Sequence, residues 1–214
     1  MLNIKISQFK MSKRNLVIAI LTDPIPLKPL KKRYLPKVCH KVGELTMLER
    51  VINTVLKLEP YRIILIVNQY NIKYINRIIK DKPYQIIISL HMDNQFRGVS
   101  VSKRCYQNKN LLVVPGTSPL ITSKTLFKMI DSPKPLTRLT NNLWYIHKKY
   151  LEYIDRFDDL HKNKIGSFEV SEQEIMEVNT YQDLTDVNEI VSKRNKPKSL
   201  LKLFSSSKND KLND

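Results

Sequence analysis

The sequence predicts an α/β domain with a mostly parallel central sheet, and three observations carry that prediction. Short apolar runs rich in β-branched residues recur at 16–21, 63–67, 84–90 and 111–114. Most of each run is apolar without alternation, as in a strand covered on both faces. Between the runs lie stretches whose apolar residues fall at helical spacing, so strand and helix alternate in units of about 30 residues. Such a chain builds a Rossmann-like, three-layer stack of helix, sheet and helix.

Each element has a local reason. The run LVIAIL at 16–21 reads as the first buried strand, and prolines at 24, 26 and 29 follow it. Proline fixes φ and removes a donor, so these residues form a stiff, extended loop. Thr46-Met-Leu-Glu49 has the spacing of a capping box. Behind it Met47, Leu48, Val51, Ile52, Val55 and Leu56 mark one apolar helix face, which Glu59-Pro60 stops. A second strand is expected at 63–67, a second helix at 72–80, and a third strand at 84–90. The fourth strand, 111–114, ends at PGTSPL and leads into a helix at 122–130. Past Ile130 the pattern thins to a short strand at 143–147, a helix at 148–157, a strand at 175–178 and a helix across 183–192.

Residues 16–192 thus form one expected domain, preceded by a basic extension at 1–15 and followed by a basic, disordered tail at 193–214. A chain of 214 residues with 42% hydrophobic content supports a single sizeable core. Its net charge is +17, with ten Lys or Arg against one acid in residues 1–41 and seven against two in residues 193–214. Cations clustered in this way favour a phosphate-bearing partner, whether nucleotide, sugar phosphate or nucleic-acid backbone. Cys39 and Cys105 lack CxxC spacing, which argues against a zinc site or disulfide framework and fits a reducing, cytoplasmic compartment. No apolar run approaches the ~18 residues a membrane span needs.

Ligands of open parallel sheets sit at the carboxyl ends of the strands. The loops expected there are LTDPIPLKPLKKRYLPK, HMDNQFRG and PGTSPL. They supply a dense cationic segment, an amide-rich turn ending at Gly98, and a tight turn at Gly116 with the Thr117 and Ser118 hydroxyls. Lysines and backbone or hydroxyl donors are enough to hold phosphates. Neither a Walker loop nor a GxGxxG pattern is present, which disfavours P-loop ATPases and Rossmann dehydrogenases. The four histidines are scattered and read as structural or exposed, and Cys39 as a packing residue.

Three blocks carry a family resemblance. LPKVCHKVGELTMLERVINTVLKL resembles the LPK-plus-helix segment of the sugar-phosphate nucleotidyltransferases, most nearly the uridyltransferase domain of bacterial N-acetylglucosamine-1-phosphate uridyltransferases. PGTSPLITSKTLFKMI is similar to that family's metal-binding GDxPL turn, and EVNTYQDLTDV to its late VN segment. The resemblance implies a nucleotidyltransferase fold and attack of a sugar 1-phosphate on the α-phosphorus of UTP, with Mg²⁺ on the phosphates and pyrophosphate released. By the same resemblance Lys37 is the phosphate-binding lysine, Asn179 a metal ligand, and Gln95 and Gly98 lie at the base-recognition position. Leu21, Thr22, Asp23, Gly116 and Thr117 line the expected nucleotide site. The chain departs from the family in two places. Leu21-Thr-Asp-Pro-Ile-Pro-Leu-Lys28 replaces the glycine-rich LxAGxGxRM loop, leaving Lys31, Lys32 or Arg33 to stand for its arginine. Thr117 replaces the metal-binding Asp, and Asp23 is the candidate to compensate. The alternative reading is a catalytically inactive relative whose basic ends contact nucleic acid or an acidic partner.

Overall fold

The computed structural model describes residues 14–22, 35–69, 71–80, 86–91, 95–151 and 164–195. Asp23, Arg33 and most of the proline-rich loop lie outside these residues. So do most of the N-terminal extension and tail, and the latter part of the helix expected at 148–157.

Strand β1 (Arg14–Leu21) lies inside a six-stranded sheet. The other members are β4 (Pro60–Asn68), β5 (Ile86–His91), β6 (Asn110–Pro115), β7 (Leu136–Arg138) and β8 (Trp144–Ile146). Their order is β5-β4-β1-β6-β8-β7. Strands β1, β4, β5 and β6 run parallel, with Ile18 opposite Ile63 on one side and Leu112 on the other. β8 is antiparallel to both β6 and β7.

The period of two along β1 divides the core. Leu16, Ile18 and Ile20 face one apolar cluster, and Val17, Ala19 and Leu21 face the other. Helices α1 (Met47–Leu56), α2 (Ile72–Ile79) and α5 (Ser123–Ile130) supply residues to the first cluster, among them Leu48, Ile52, Ile75, Leu126 and Met129. Helices α3 (Gln95–Val101), α4 (Lys103–Tyr106) and α6 (Lys148–Leu151) cover the second through Val99, Tyr106 and Leu151. The result is the three-layer α/β stack.

The capping box forms as expected: the Thr46 hydroxyl accepts from the Glu49 amide at 3.2 Å and the Glu49 carboxylate accepts from the Thr46 amide at 2.8 Å. Helix α1 stops at Leu56. Glu59 takes a left-handed φ of 50° before Pro60 opens β4. Ahead of α1, a two-residue hairpin of β2 (Lys41–Val42) and β3 (Leu45–Thr46) turns at Gly43, whose φ is 64°.

Two expectations are corrected. Residues 95–101 are not an amide-rich turn but helix α3, because Phe96 and Val99, three positions apart, pack on the second sheet face. Residues 175–178 are not a strand. Ile175 ends helix α7 (Glu172–Ile175), and the apolar Met176 and Val178 pack with helix α8 (Tyr181–Asn195) rather than join the sheet. Helix α8 extends beyond the expected 183–192 at both ends, and β7 is an edge strand the pattern did not suggest. No helix among the described residues is long and apolar enough to cross a membrane.

Candidate active site

Parallel strands leave β1 in opposite directions across the sheet, to β4 and β5 on one side and to β6 on the other. The ends of β1 and β6 are therefore a topological switch point, where a crevice opens. Leu21 pairs with Pro115 there, and the Gly116 amide donates to the Leu21 carbonyl at 2.8 Å. Gly116 is required sterically: a Cβ would stand 2.9 Å from the Leu21 oxygen and 3.1 Å from Val38 Cγ1. Its bare Cα lets the short 3₁₀ turn Lys37–Cys39 settle over the strand ends.

From that turn the buried Lys37 side chain reaches a segment far away in sequence. Its Nζ donates to Asn179 Oδ1 at 3.2 Å. Beside this contact the Val178 amide donates to the Thr117 carbonyl at 2.8 Å. The LPK turn, the Gly116-Thr117 turn and the Val178-Asn179 segment, the three blocks of the resemblance, thus meet at the carboxyl ends of β1 and β6.

Asp183 belongs to the same cluster and was not singled out in the sequence. Its Oδ2 accepts from the Asn179 and Thr180 amides at 2.8 Å each, and its own amide donates to the Thr180 hydroxyl at 3.1 Å. Thr180-Tyr-Gln-Asp183 is therefore a capping box opening α8, and its TxxD spacing was the available signal. Partial burial opposes ionisation of Asp183, but those hydrogen bonds and the positive charge of Lys37 outweigh it and hold the carboxyl below its ordinary range. Nearby, His40 meets Tyr181 edge-on at 5.8 Å between ring centroids, and burial keeps its imidazole below its ordinary pKa. Burial also pushes the Cys39 thiol up to about 12, which removes it as a nucleophile near neutral pH.

The remaining candidates are spread more widely. Thr22 is fully buried, with its amide and hydroxyl both donating to the Ile66 carbonyl, at 3.2 and 2.8 Å. These donors stitch β1 to β4. Leu21 and Thr117 are buried at the crevice floor, and the buried Ser118 hydroxyl has no hydrogen-bond partner. Gln95 and Gly98 belong to α3, which follows β5, two strands from β1.

The described residues do not by themselves make a resident Mg²⁺ site. Asn179 Oδ1 already accepts from Lys37, Thr117 offers a hydroxyl where a carboxylate would be needed, and Asp183 Oδ2 caps α8. No group of three or more His, Cys, Asp or Glu suited to a metal occurs among the described residues. Mg²⁺ sites draw on carboxylates and substrate phosphates.

No protein-family model matches the chain. Two curated proteins match part of it. The bifunctional protein GlmU of Synechococcus sp. (strain JA-3-3Ab) is 31% identical over 123 residues, covering 56% of this chain and 19% of the relative. GlmU of Wolbachia pipientis wMel is 34% identical over 98 residues, covering 45% and 23%. The chain spans about a fifth of the length of these relatives. Among solved structures, a nucleotidyl transferase from Methanothermobacter thermautotroptrophicus superposes with a TM-score of 0.67 at 11% identity, covering 85% of this chain and all of that one. The 4-diphosphocytidyl-2C-methyl-D-erythritol synthase of Anaerococcus prevotii gives 0.62 at 14%, covering 84% and 96%. Rv0371c of Mycobacterium tuberculosis, in a complex with manganese, gives 0.61 at 11%, covering 83% and all of that chain. At such identities the structural likeness is one of fold, which is that of the nucleotidyltransferases. In sequence over about half its length, and in fold, the chain is similar to the sugar-phosphate nucleotidyltransferases, with GlmU among the proteins it resembles.

Proposed function

We propose that the protein transfers a uridylyl group from UTP to a sugar 1-phosphate, N-acetylglucosamine 1-phosphate or a close relative, releasing pyrophosphate and forming the UDP-sugar. The observation that carries this reading is the Lys37–Asn179 hydrogen bond, because it joins the LPK and VN blocks at the switch point of the sheet. In this reaction the phosphate oxygen of the sugar phosphate attacks the α-phosphorus of UTP, and the bond from the α-phosphorus to the α–β bridging oxygen breaks, that oxygen leaving with pyrophosphate. The demand on the protein is positioning and charge neutralisation rather than proton transfer. Lys37 supplies a cation beside the phosphates. Asn179 orients that cation, and Asp183 fixes the Asn179 backbone. Arg33 is the proposed second cation, and Gly116 and Thr117 form the nucleotide floor with Leu21 and Thr22. Gln95 and Gly98 are the proposed base-side contacts, reached by a substrate extending toward β5.

Mg²⁺ enters this proposal with the substrate, as the magnesium complex of UTP. Asp23, and Asn179 through the second lone pair of its Oδ1, are the protein oxygens assigned to meet it, and no step is routed through an ion held by the protein alone. The test is pyrophosphate release from UTP, N-acetylglucosamine 1-phosphate and Mg²⁺. Wild type should turn over, and Lys37→Ala should lose on the order of 10²–10³-fold in kcat, the scale of one preorganised charge-stabilising donor. Equal turnover by the two proteins would rule the reading out.

A second reading rests on one observation. Thr22 spends its amide and hydroxyl on Ile66, where the family's loop turns donors toward phosphate. Under that reading the chain is a binding module on a nucleotidyltransferase fold. Salt-sensitive binding to nucleic acid with no turnover would favour it.

A further inference from the structure

A second cationic feature lies on the helical face of the domain. Helix α1, the C-terminal end of α8 and residues 119–123 enclose a pocket of about 310 Å³. Its charged lining consists of Arg50, Lys57 and Arg194, with no Asp or Glu among the lining residues. Neutral donors Asn53, Thr54 and Ser123 complete the polar wall. None of the residues assigned to the nucleotide site lines it.

The two arginines are held in an unfavourable relation to each other. Arg50 is half-buried, and its Nε donates to the Val42 carbonyl at 2.6 Å, which fixes the plane of the guanidinium. Burial and the charge of Arg194 both lower its pKa from the ordinary value, so two like charges share the pocket without a carboxylate between them. Glu174, which reaches the wall residue Thr122, is engaged by that residue's amide and hydroxyl at 3.1 and 2.6 Å. Guanidinium groups present forked donors that match the oxygens of a phosphate, and clustered cations in a concave wall concentrate anions. The volume sits at the small end of ligand pockets, which run from about 300 to 1,000 Å³. It suits a phosphate or diphosphate better than a whole nucleotide sugar.

We propose that this pocket is a second binding site, separate from the Lys37–Asn179 cluster, for a small phosphate-class anion held between Arg50 and Arg194. Inorganic phosphate, pyrophosphate and the phosphate end of a small ester share the chemistry. The proposal does not depend on the uridylyl-transfer reading.

The test is calorimetric titration of the full chain with inorganic phosphate and with pyrophosphate, at fixed ionic strength set with chloride. It uses wild type, Lys37→Ala, Arg194→Gln and the double variant Arg50→Gln/Arg194→Gln. Expected is saturable binding that survives in Lys37→Ala and weakens at least tenfold in the double variant. Arg50 also supports the Val42 carbonyl, so the exposed Arg194→Gln serves as the variant that leaves the fold undisturbed, and it should weaken binding at least threefold by itself. Three results overturn the proposal: no saturable binding to wild type at millimolar anion, binding unchanged in Arg194→Gln, or binding abolished by Lys37→Ala, which would assign the anion to the nucleotide site. The stronger of the two anions distinguishes a monophosphate pocket from one shaped for a diphosphate.

Discussion

Single residues decide most of the chemistry, and Asp183 is the one whose behaviour with pH can be worked out. Its folded-state pKa lies below the ordinary 3.8, so its ionised form stabilises the fold above that value. The contribution fades as pH falls through the folded-state pKa. Thermal melts from about pH 7 down to about pH 2 should therefore place wild type above Asp183→Asn at neutral pH, with the gap closing below 3.8. A gap that widened on acidification would contradict the assignment. Gly116 makes a second prediction. In Gly116→Ala the new methyl meets the Leu21 carbonyl at 2.9 Å and Val38 at 3.1 Å, and backbone cannot give way as a side-chain tip can. The variant should lose about 1–3 kcal/mol of stability in chemical denaturation, the usual cost of overpacking. Lys37 and Asn179 were legible in the sequence because each sits in a short motif with a chemical meaning. Asp183 carried only the TxxD signal of a helix cap, since its carboxylate acts through backbone amides rather than through a ligand-facing motif.

At the scale of elements, local signals were legible where they agreed with the packing. Helix α1 carries both a capping box and an apolar stripe, and the structure keeps both. Thr46→Ala removes the hydroxyl that accepts from Glu49 and should cost about 1 kcal/mol. Urea titration with an unchanged slope would measure it. The same local reasoning failed at 95–101, where QFRG reads as a turn until Phe96 and Val99 are known to have a sheet face to cover. It failed again at 175–178. A four-residue segment with three apolar residues looks like a strand, yet here Val178 joins Val42, Met47, Leu120, Val187 and Val191 in a third, small core beneath α8. In both places the deciding information was which surface the apolar residues would meet, and short segments do not encode that locally.

For the molecule as a whole, alternation of buried strands and amphipathic helices was sufficient to give the layer architecture, because a parallel sheet leaves few alternatives for covering both faces. The contacts that close the crevice were not legible, because they are single hydrogen bonds between segments far apart in the chain. Those contacts are also what the architecture contributes to binding. Gly116 is tied to Leu21, Thr117 to Val178, and Lys37 to Asn179, each by groups of the protein itself. The crevice floor is thus preorganised, and under the proposed function a nucleotide arriving there would not have to freeze it. The Gly116 and Val178 amides should already exchange slowly with deuterium in the unliganded protein, and adding nucleotide should change their protection little. For the proposed nucleotide, affinity at this floor would then be set by charge and fit, with little conformational entropy left to lose.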